Sequence, residues 1–505
     1  MERTEFTVTT ILSLVISVLV LVFFIKYHWN RRWLYYHSSK LPGPSSWPLI
    51  GSAHYFLGGY DDMYQAMLRM TKSQPPRFKV WLGQDLIFVT SRPEDCEIIL
   101  NKCFTKGTFA RFMAPVFWDG LLTSPAIKWK GHRKIINPSF NIQILNSFID
   151  VFNKHAQKLV ERMRNHSSNK SVDISYWLFR STVDISCETL MDVDADLITG
   201  QDEYINDCIK AEKFSSIRMI GVWYHPEFLW NLSPLGKLTQ ATSNNILAFV
   251  RKMINTKKQQ PEKCNDDFSV DLKKKHFLNN LLKMSENFDD EDILEETQTM
   301  LLAASETTGL TMSSILLVLA IFPEVQEKIY EELDSILWNN DNEITLEHIN
   351  KMVYLEAVIK EVMRVLPTVP YINRIMTEDL HLENCTVPTG SNIIISIKNI
   401  HDSPDLWENP QKFNPERFLN KEEINRSRCA YMPFGFGPRN CIGFKFAMLS
   451  MKVMLATLLK NFTFEPAIYN SIEEIECFYN IVAKPKKGYK VKFTERKLYN
   501  NNNKE

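Results

Sequence analysis

The chain lacks an excess of charge of either sign. Lysine plus arginine and aspartate plus glutamate each number 59 in 505 residues, so the formal net charge is zero. Proteins that bind nucleic acid concentrate positive charge that neutralises phosphates. The neutral balance therefore gives no reason to expect a nucleic-acid partner.

Closely spaced cysteine pairs are also absent. The nine cysteines include no C-x-x-C sequence, and an odd number cannot all pair in disulfides. This pattern argues against a zinc ribbon and a disulfide framework, and it suits a reducing compartment.

Internal repeats are missing as well. The composition, 45% hydrophobic and 23% charged, is that of an ordinary globular protein with a large core.

An apolar run of twenty residues, broken only by Thr and Ser, occupies residues 6–25. As a helix it spans about 30 Å, the thickness of the hydrocarbon core of a bilayer. A cleavable signal peptide is the alternative, but the run is longer than such segments and no small-residue cleavage site follows. Basic and aromatic residues follow instead: Lys26, Arg31, Arg32, Trp29 and Trp33. Positive charge there predicts an uncleaved anchor with the rest of the chain in the cytosol.

The composition divides the chain into four parts: an anchor at 1–32, a proline-rich hinge at 33–52, a main domain at 53–495 and a polar tail at 496–505. Pro42, Pro44 and Pro48 exclude a helix from residue 41 to residue 51 and make this part of the hinge stiff. Asparagine repeats in the tail and predicts fraying.

Within the main domain the pattern predicts many helices and few strands. The segments are a β-hairpin at 77–90 with its turn at 83–85, a mostly helical region at 138–333 with a solvated loop at 252–276, and short strands at 378–397 and 462–492. We expect a mainly α fold, with minor α+β character, in which small β-sheets lie at one side.

One glycine-framed cysteine, Cys441, lies in the sequence Phe-Gly-Phe-Gly-Pro-Arg-Asn-Cys-Ile-Gly at residues 434–443, just before an apolar helical run. The backbone N–H groups at a helix N-terminus favour an anion, lower a thiol pKa and prepare a thiolate for a metal. A buried structural cysteine in a turn is the alternative for such a residue taken alone.

The pattern Phe-x-x-Gly-x-Arg-x-Cys-x-Gly resembles the haem-ligand loop of the cytochrome P450 family, in which a cysteine thiolate holds the haem iron. The resemblance implies that Cys441 is the axial ligand of haem b, iron protoporphyrin IX, and that Phe434 and Arg439 belong to the same site. It also implies the cytochrome P450 fold with an N-terminal transmembrane helix.

A second motif lies in the long apolar helix predicted at 289–322, where Ala303-Ala304-Ser305-Glu306-Thr307 resembles the oxygen-activation motif of the family. The resemblance implies that Glu306 and Thr307 deliver the protons for O–O bond cleavage. The alternative is that the Thr307 hydroxyl bonds back to the carbonyl of Ala303 and only bends the helix.

Two departures from the motif matter. Ala304 stands where the family usually has glycine, so its methyl group narrows the oxygen groove. The chain as a whole resembles the animal family-4 clan, in which many members carry a glutamate at the position of Ala303 that esterifies the haem. Alanine cannot form that ester, so we expect non-covalent haem.

Further positions match the family one by one. Glu361 and Arg364, together with Arg417, resemble the buried network that supports the haem loop, although an E-x-x-R sequence alone is weak and fits a surface ion pair.

Trp129 and Arg133, in a W-x-x-x-R pattern, and Arg374 resemble the residues that bind the haem propionates, where the planar guanidinium suits a carboxylate. Core packing is the alternative for Trp129. His132 is a weaker candidate than Cys441 for an iron ligand.

An aromatic cluster precedes Trp129 and contains Phe109, Phe112, Met113, Phe117 and Trp118. Its position in the family implies contact with an apolar substrate, above all by Phe109, Phe112 and Phe117; core packing is the alternative.

Basic residues on the thiolate side imply a docking face for an acidic reductase. They are Lys130, Lys134, Arg426, Arg428 and Lys445.

The resemblance implies a microsomal haem-thiolate monooxygenase in the endoplasmic reticulum membrane, with its catalytic domain in the cytosol. Its electrons come from NADPH through cytochrome P450 reductase, with cytochrome b5 as a further candidate partner, and O₂ is the co-substrate. Fatty acids, terpenoid hormones and foreign compounds remain open as substrates. The alternatives are a haem-thiolate isomerase or dehydratase, against which the Glu306–Thr307 pair argues, and a non-catalytic haem-binding membrane protein.

Overall fold

The computed structural model of the chain describes residues 2–166, 170–260, 276–284, 288–337, 343–419 and 427–496. Helices dominate these ranges. They are α1 (Glu2–Asn30), α2 (Arg32–Ser39), α3 (Tyr60–Ser73), α4 (Pro93–Lys102), α5 (Ala114–Phe117), α6 (Ala126–Ile136), α7 (Ile142–Asn146), α8 (Ile149–Arg164), α9 (Ser175–Thr189), α10 (Gln201–Ile220), α11 (Glu227–Leu232), α12 (Pro234–Gln259), α13 (Phe277–Lys283), α14 (Asp290–Ile321), α15 (Pro323–Ile336), α16 (Leu346–Lys351), α17 (Val353–Val365), α18 (Ile397–His401) and α19 (Phe444–Asn461).

The strands form small sheets. They are β1 (Arg77–Leu82), β2 (Asp85–Thr90), β3 (Val172–Asp173), β4 (Tyr371–Ile375), β5 (Leu380–Leu382), β6 (Cys385–Val387), β7 (Asn392–Ser396), β8 (Phe462–Pro466), β9 (Cys477–Asn480), β10 (Val482–Pro485) and β11 (Lys490–Glu495). The largest sheet has the order β1-β2-β7-β4, and the others are β3-β11-β8, β9-β10 and β5-β6. The mainly α fold with small sheets is confirmed.

The predicted hairpin at 77–90 is confirmed and opens the largest sheet. Side chains of β1 alternate between half-buried and buried, and β1 pairs antiparallel with β2. Gly83 has a φ of 57°, the left-handed conformation that a tight turn requires and glycine adopts without strain. Strand β7 then pairs parallel with β2, and β4 pairs antiparallel with β7. This sheet therefore places β4, which carries Arg374, one strand away from the N-terminal hairpin, with β7 between them.

The long helix α14 is the centre of the core. It begins where the Asp289 side chain accepts a hydrogen bond from the Asp292 N–H at 2.7 Å, which caps the first turn. It ends at Ile321 because Pro323 cannot continue it and instead starts α15. A Cβ atom on Gly309 would lie 2.9 Å from the Cα atom of Phe179, so α14 packs directly against α9. Helix α14 is thus held in place along its length by neighbouring helices.

The N-terminal helix α1 differs from the core helices in having exposed apolar side chains. Its segment Thr10–Asn30 has a mean hydropathy of 2.4 and is long enough to cross a membrane. Helix α14 passes the same length and composition test, but 83% of its apolar window is buried inside the protein. The exposed apolar surface of α1 agrees with a membrane anchor.

Two other segments were predicted from composition. The hinge has no helix at residues 41–46, and the Pro42 carbonyl accepts a hydrogen bond from the Lys79 N–H at 2.9 Å. The loop predicted from residue 252 is wrong at its start, because α12 continues to Gln259 and buries Met253 and Ile254. Its polar residues occupy the outer face of an amphipathic helix. Residues 261–275 and the polar tail after residue 496 lie outside the described residues.

Candidate active site

A tight loop before α19 presents Cys441. Gly435 and Gly437 have φ values of 72° and 75°. A Cβ atom on Gly437 would lie 2.6 Å from the carbonyl oxygen of Leu100, so only glycine lets the loop pass this close to α4. The Cys441 N–H donates a hydrogen bond to the Phe434 carbonyl at 2.9 Å and closes the loop.

Cys441 is the exposed cysteine among those that the structure describes; the others are buried or half-buried. Although the residue as a whole is accessible to solvent, neighbouring protein atoms desolvate its thiol, and this desolvation raises the pKa of Cys441. A Gly443 N–H bond and the charge of Arg133 act in the opposite direction. The sequence predicted a lowered pKa. That prediction is wrong for the loop alone, because the effect of burial on the pKa outweighs that of the backbone N–H groups. A cation bound to the sulfur would stabilise the thiolate.

Two arginines lie beside Cys441, one on helix α6 and one in the loop itself. Arg133 on α6 donates hydrogen bonds to the carbonyl and the side-chain oxygen of Asn440 at 2.9 and 3.1 Å. The guanidinium of Arg439 lies 5.1 Å from the ring centroid of Trp129, which is itself buried. Helix α6 and the cysteine loop therefore place Trp129, Arg133 and Arg439 beside Cys441.

Arg374 and Lys106 add to this positive cluster. Burial, with the charges of Arg374 and Arg133, lowers the pKa of Arg439 to about 9, and burial lowers the pKa of Arg374 to about 10. Burial and the two arginines Arg374 and Arg439 also lower the pKa of Lys106. The Nε atom of Arg439 is buried without a hydrogen-bond partner. Clustered, desolvated cations are costly unless an anion joins them.

The residues present fit haem. Its two carboxylates match the cations Arg133, Arg374 and Arg439, which form no ion pair with a carboxylate of the described chain. Its iron would supply the cation that a thiolate at Cys441 needs. No group of three or more His, Cys, Asp or Glu side chains in the described ranges is arranged to hold a metal ion, and haem iron requires only one such ligand from this loop.

The buried middle of helix α14 is partly exposed at one place among the described residues. Between residues 293 and 320 every described residue is buried except Ala303, Ala304 and Thr307. Positions i, i+1 and i+4 share one face of a helix. The two small side chains and one hydroxyl therefore form a window in an otherwise buried helix, and this window coincides with the second sequence motif.

Comparison with known proteins identifies the family of this arrangement. The model of the cytochrome P450 family matches residues 41–493. The chain belongs to the cytochrome P450 family. Members of this family are haem-thiolate monooxygenases that bind small-molecule substrates and use redox partners, and this P450 is a monooxygenase.

The similar curated proteins are members of cytochrome P450 family 4 from insects and mammals. Cytochrome P450 4c3 of Drosophila melanogaster is 31% identical over 501 residues, which cover 94% of this chain and 93% of the relative. Cytochrome P450 4c21 of Blattella germanica is 33% identical over 477 residues, with coverages of 91% and 94%. Cytochrome P450 4V2 of Mus musculus is 29% identical over 497 residues, with coverages of 95% and 94%. The family-4 resemblance is thereby confirmed.

The two residues of the oxygen-activation motif have different partners in this P450. The Thr307 hydroxyl donates to the Ala303 carbonyl at 2.7 Å, which is the helix-bending bond that the sequence left open as an alternative. The Glu306 carboxylate is 3% exposed and accepts a hydrogen bond from Lys484 Nζ at 2.6 Å. Thr307 thus lies at the window, whereas Glu306 is bound to the C-terminal strand β10.

The sequence-predicted support network is assembled. Arg364 donates two hydrogen bonds to Glu361 at 2.8 Å each, and Arg417 donates to Glu361 at 3.1 Å. The ion pairs are fully or almost fully buried. His401, whose carbonyl accepts from Arg364, also accepts a hydrogen bond on Nε2 from the Met432 N–H at 3.1 Å. His401 therefore connects the network to the start of the cysteine loop.

An apolar cavity lies between α3, the largest sheet (β1-β2-β7-β4) and the end of α10. Its lining includes Phe109, Met219, Tyr371, Asn373, Ile394 and Tyr479 and contains neither Cys441 nor the residues of the α14 window. Of the three predicted substrate contacts, Phe109 lines this cavity. Phe112 is buried 4.8 Å from the ring of His225, and Phe117 is buried in the main core, so neither lines it.

Other predicted residues lie apart from the cluster or on the surface. His132 is bound to Glu296, with 2.8 Å between Nδ1 and a carboxylate oxygen. Phe434 is half-buried and packs 6.2 Å from the ring of Phe444. The basic residues Lys130, Lys134, Arg428 and Lys445 are exposed, and Arg426 lies outside the described residues.

Sequence reasoning missed Lys106, His401, Lys484 and Glu212. Lys106 precedes a glycine in a loop, and nothing in its spacing marks it as a neighbour of Arg374 and Arg439. Lys484 lies 178 positions from Glu306 and 272 from Glu212, and no motif connects them. The one available signal was general: the acid Glu306 in an apolar helix needs a buried partner.

Proposed function

We propose that the Cys441 thiolate is the axial ligand of haem b and that Trp129, Arg133, Arg374, Arg439 and Phe434 bind the rest of the cofactor. The observation that carries this proposal is the cluster of desolvated cations beside the exposed cysteine, with no carboxylate of the described ranges paired to its arginines. Lys106 is an additional candidate for a haem carboxylate, because it adds a further cation to the same place.

When bound, the haem activates O₂ with two electrons, so that one oxygen atom enters the substrate and the other leaves as water. The chain manages protons and position. The Thr307 hydroxyl donates a hydrogen bond to the Ala303 carbonyl. The lone pairs of the hydroxyl oxygen therefore face the window and can accept a hydrogen bond from a water molecule. Glu306 is the acid that transfers protons toward this water.

The substrate that we propose is an apolar small molecule, in the range of fatty acids, terpenoid hormones and foreign compounds. The cavity beside Phe109 supports this, because most of its lining side chains are hydrophobic. The electrons come from NADPH through cytochrome P450 reductase, with cytochrome b5 as a further partner. Exposed Lys130, Lys134, Arg428 and Lys445 support docking of an acidic protein.

We also propose that α1 anchors the enzyme in the endoplasmic reticulum membrane with the catalytic domain in the cytosol. Support comes from the exposed apolar helix at Thr10–Asn30 and from the basic residues Arg31 and Arg32 after it.

The direct test of the haem assignment is Cys441→Ala in the full-length protein. We expect loss of the reduced, carbon-monoxide-bound absorption band that is diagnostic of thiolate ligation, because alanine offers no sulfur to the iron. Cys187→Ala, which removes a fully buried core cysteine, is the matched control and should keep the band. A normal band in Cys441→Ala would exclude Cys441 as the ligand.

The monooxygenase reaction itself requires that reconstituted turnover depends on NADPH and reductase. Substrate conversion without either would favour an isomerase or dehydratase.

A further inference from the structure

Three charged side chains from distant parts of the chain meet beneath the helix that carries the window. Lys484 on β10 donates hydrogen bonds to Glu306 on α14 at 2.6 Å and to Glu212 on α10 at 3.0 Å. We call Glu212, Lys484 and Glu306 the buried triad. The Glu212 side chain is 0% exposed, Glu306 is 3% exposed and Lys484 is 12% exposed, so the triad reaches solvent through the lysine.

The charge of the triad does not balance if both carboxyl groups are ionised. Two carboxylates and one ammonium leave a net negative charge in a desolvated place, which is costly. Among the described residues, the other titratable groups that face the triad are Cys208 on α10 and Tyr489 before β11, and Tyr204 lies behind Cys208. Burial raises the pKa of each of them, so they are uncharged at neutral pH and contribute no compensation. One proton on the carboxyl pair restores neutrality.

The surroundings place that proton on Glu212. Burial, followed by the charge of Glu306, raises the pKa of Glu212 well above its ordinary value. Burial alone would lower the pKa of Lys484, but the two carboxylates raise it, so the lysine stays charged. Glu212 Oε1 is buried without a partner, and the Glu212 and Glu306 carboxyl groups interact directly. Because Lys484 Nζ bonds to both carboxyl groups, Glu306 lies close enough to accept a proton from Glu212.

We propose that Glu212 holds the proton that Glu306 receives and passes on toward the window in each turnover, and that Lys484 keeps the two carboxyl groups together. This inference rests on the proposed role of Glu306. In the transfer, the O–H bond of Glu212 breaks and an O–H bond forms on Glu306, while the negative charge moves to Glu212. Lys484 is bonded to both, so it compensates the charge before and after. Glu212 then regains a proton from solvent at the partly exposed lysine end.

The chain contains a matched control contact between α10 and the hairpin that β9 and β10 form. Ser216 on α10 and Asn480 on β9, the partner strand of β10, form a hydrogen bond of 3.1 Å between buried side chains. This contact ties the same helix to the same hairpin but cannot titrate. Ser216→Ala therefore reports what is lost when α10 and the hairpin are loosened without removing a proton.

The experiment combines infrared spectroscopy of the full-length ferric holoenzyme with reconstituted turnover in H₂O and D₂O. Glu212→Gln, Lys484→Met, Lys484→Arg, Glu306→Gln and Ser216→Ala are compared with the wild-type protein. We expect a protonated-carboxyl C=O band at pH 7 that disappears in Glu212→Gln and persists in Ser216→Ala. The carbon-monoxide spectrum checks that each variant retains its haem site.

In turnover, Glu212→Gln should be slower by about tenfold, less than the loss expected when a directly transferring group is removed, with a larger solvent isotope effect. Lys484→Met should show a similar loss, and Lys484→Arg should restore most of it, because arginine keeps the charge. Ser216→Ala should match the wild-type isotope effect.

The possible failures are distinguishable. Absence of the wild-type band at pH 7, or its persistence in Glu212→Gln, would overturn the proposal. If Glu306→Gln is slow while Glu212→Gln matches the wild-type protein, the proton supply from Glu212 is wrong and the role of Glu306 stands. If Glu306→Gln turns over like the wild-type protein, the proposed role of Glu306 fails, and the supply from Glu212 fails with it.

Discussion

Single side chains at the window of α14 set how the cofactor can be held. Ala303, Ala304 and Thr307 are the partly exposed residues of the buried stretch, and Ala303 carries no carboxyl group. An ester to haem requires such a group at the surface of the window. The absence of a carboxylate at Ala303 is therefore the reason for proposing non-covalent haem.

Acidified organic solvent should extract the haem completely from the wild-type protein after turnover, because no bond to the chain is formed at Ala303. The extracted pigment and the protein are quantified separately. Ala303→Glu is the counterpart variant, in which part of the haem should remain with the chain. Haem that stays attached to the wild-type protein would contradict the argument from Ala303.

His401 shows how one buried residue couples the network to the cysteine loop. Burial, reinforced by the charges of Arg364 and Lys398, lowers the pKa of His401 to about 3. The imidazole is therefore neutral in the folded protein, and its Nε2 atom can accept the hydrogen bond from Met432.

This depressed pKa predicts a pH dependence of stability. Below about pH 6.5 the unfolded chain takes up a proton on His401 that the folded protein does not bind until about pH 3, so stability falls as the pH falls. The slope for one proton is about 1.4 kcal/mol per pH unit. His401→Gln keeps an acceptor without titrating, so its stability should fall less between pH 6.5 and 4.5. Parallel curves from denaturant unfolding of the two proteins would refute this.

At the scale of elements, the contact between α14 and α9 decides where the window lies. Gly309 on α14 lies so close to the backbone of Phe179 that a methyl group does not fit, and Thr182 on α9 donates a hydrogen bond to the Ser305 carbonyl at 2.8 Å. Backbone cannot move aside as a flexible side chain can. The position of Glu306 and Thr307 therefore depends on this helix crossing.

Gly309→Ala should destabilise the protein by about 1–3 kcal/mol, because overpacking outweighs the gain in helix propensity. Gly131→Ala is the matched control: Gly131 lies within α6, is exposed, and has no neighbouring atom within 4 Å of the place that an added methyl group would occupy. That change should stabilise by about 0.4–1 kcal/mol. Thermal unfolding of both variants measures these opposite changes in stability. If Gly309→Ala stabilised the protein, α14 and α9 would be able to separate at little cost.

At the scale of the whole molecule, the membrane helix is connected to the catalytic domain by specific contacts. Tyr27 bonds to Gln84 at 3.2 Å, and the Trp33 indole N–H donates to Asp379 at 3.0 Å. The guanidinium of Arg31 lies 5.5 Å from the ring centroid of Trp81. These contacts fix the orientation of the N-terminal helix relative to the largest sheet.

Deletion of residues 1–32 should release the enzyme from membranes while leaving the haem site intact. The removed part contributes none of the residues around Cys441, and its loss takes away the segment that is long enough to span a bilayer. Resistance to alkaline carbonate extraction measures membrane integration, and the carbon-monoxide spectrum measures the haem site. Full-length protein is the control, and a truncated protein that resists extraction would show that another part of the chain inserts.

Much of this protein follows from local sequence. Glycines that must adopt left-handed conformations frame Cys441, Pro323 separates α14 from α15, and the spacing of Glu361 and Arg364 places both on one helix face. Each of these features depends on residues a few positions apart, so the local pattern predicts them.

Only the tertiary structure decided which distant side chains meet. Lys106 joins Arg374 and Arg439, and Lys484 joins Glu306 to Glu212, through elements that are far apart in the chain. It also decided that burial raises the pKa of the Cys441 thiol, although the local dipoles act to lower it. Burial and long-range charge depend on how helices and sheets pack, and no short stretch of sequence contains that information.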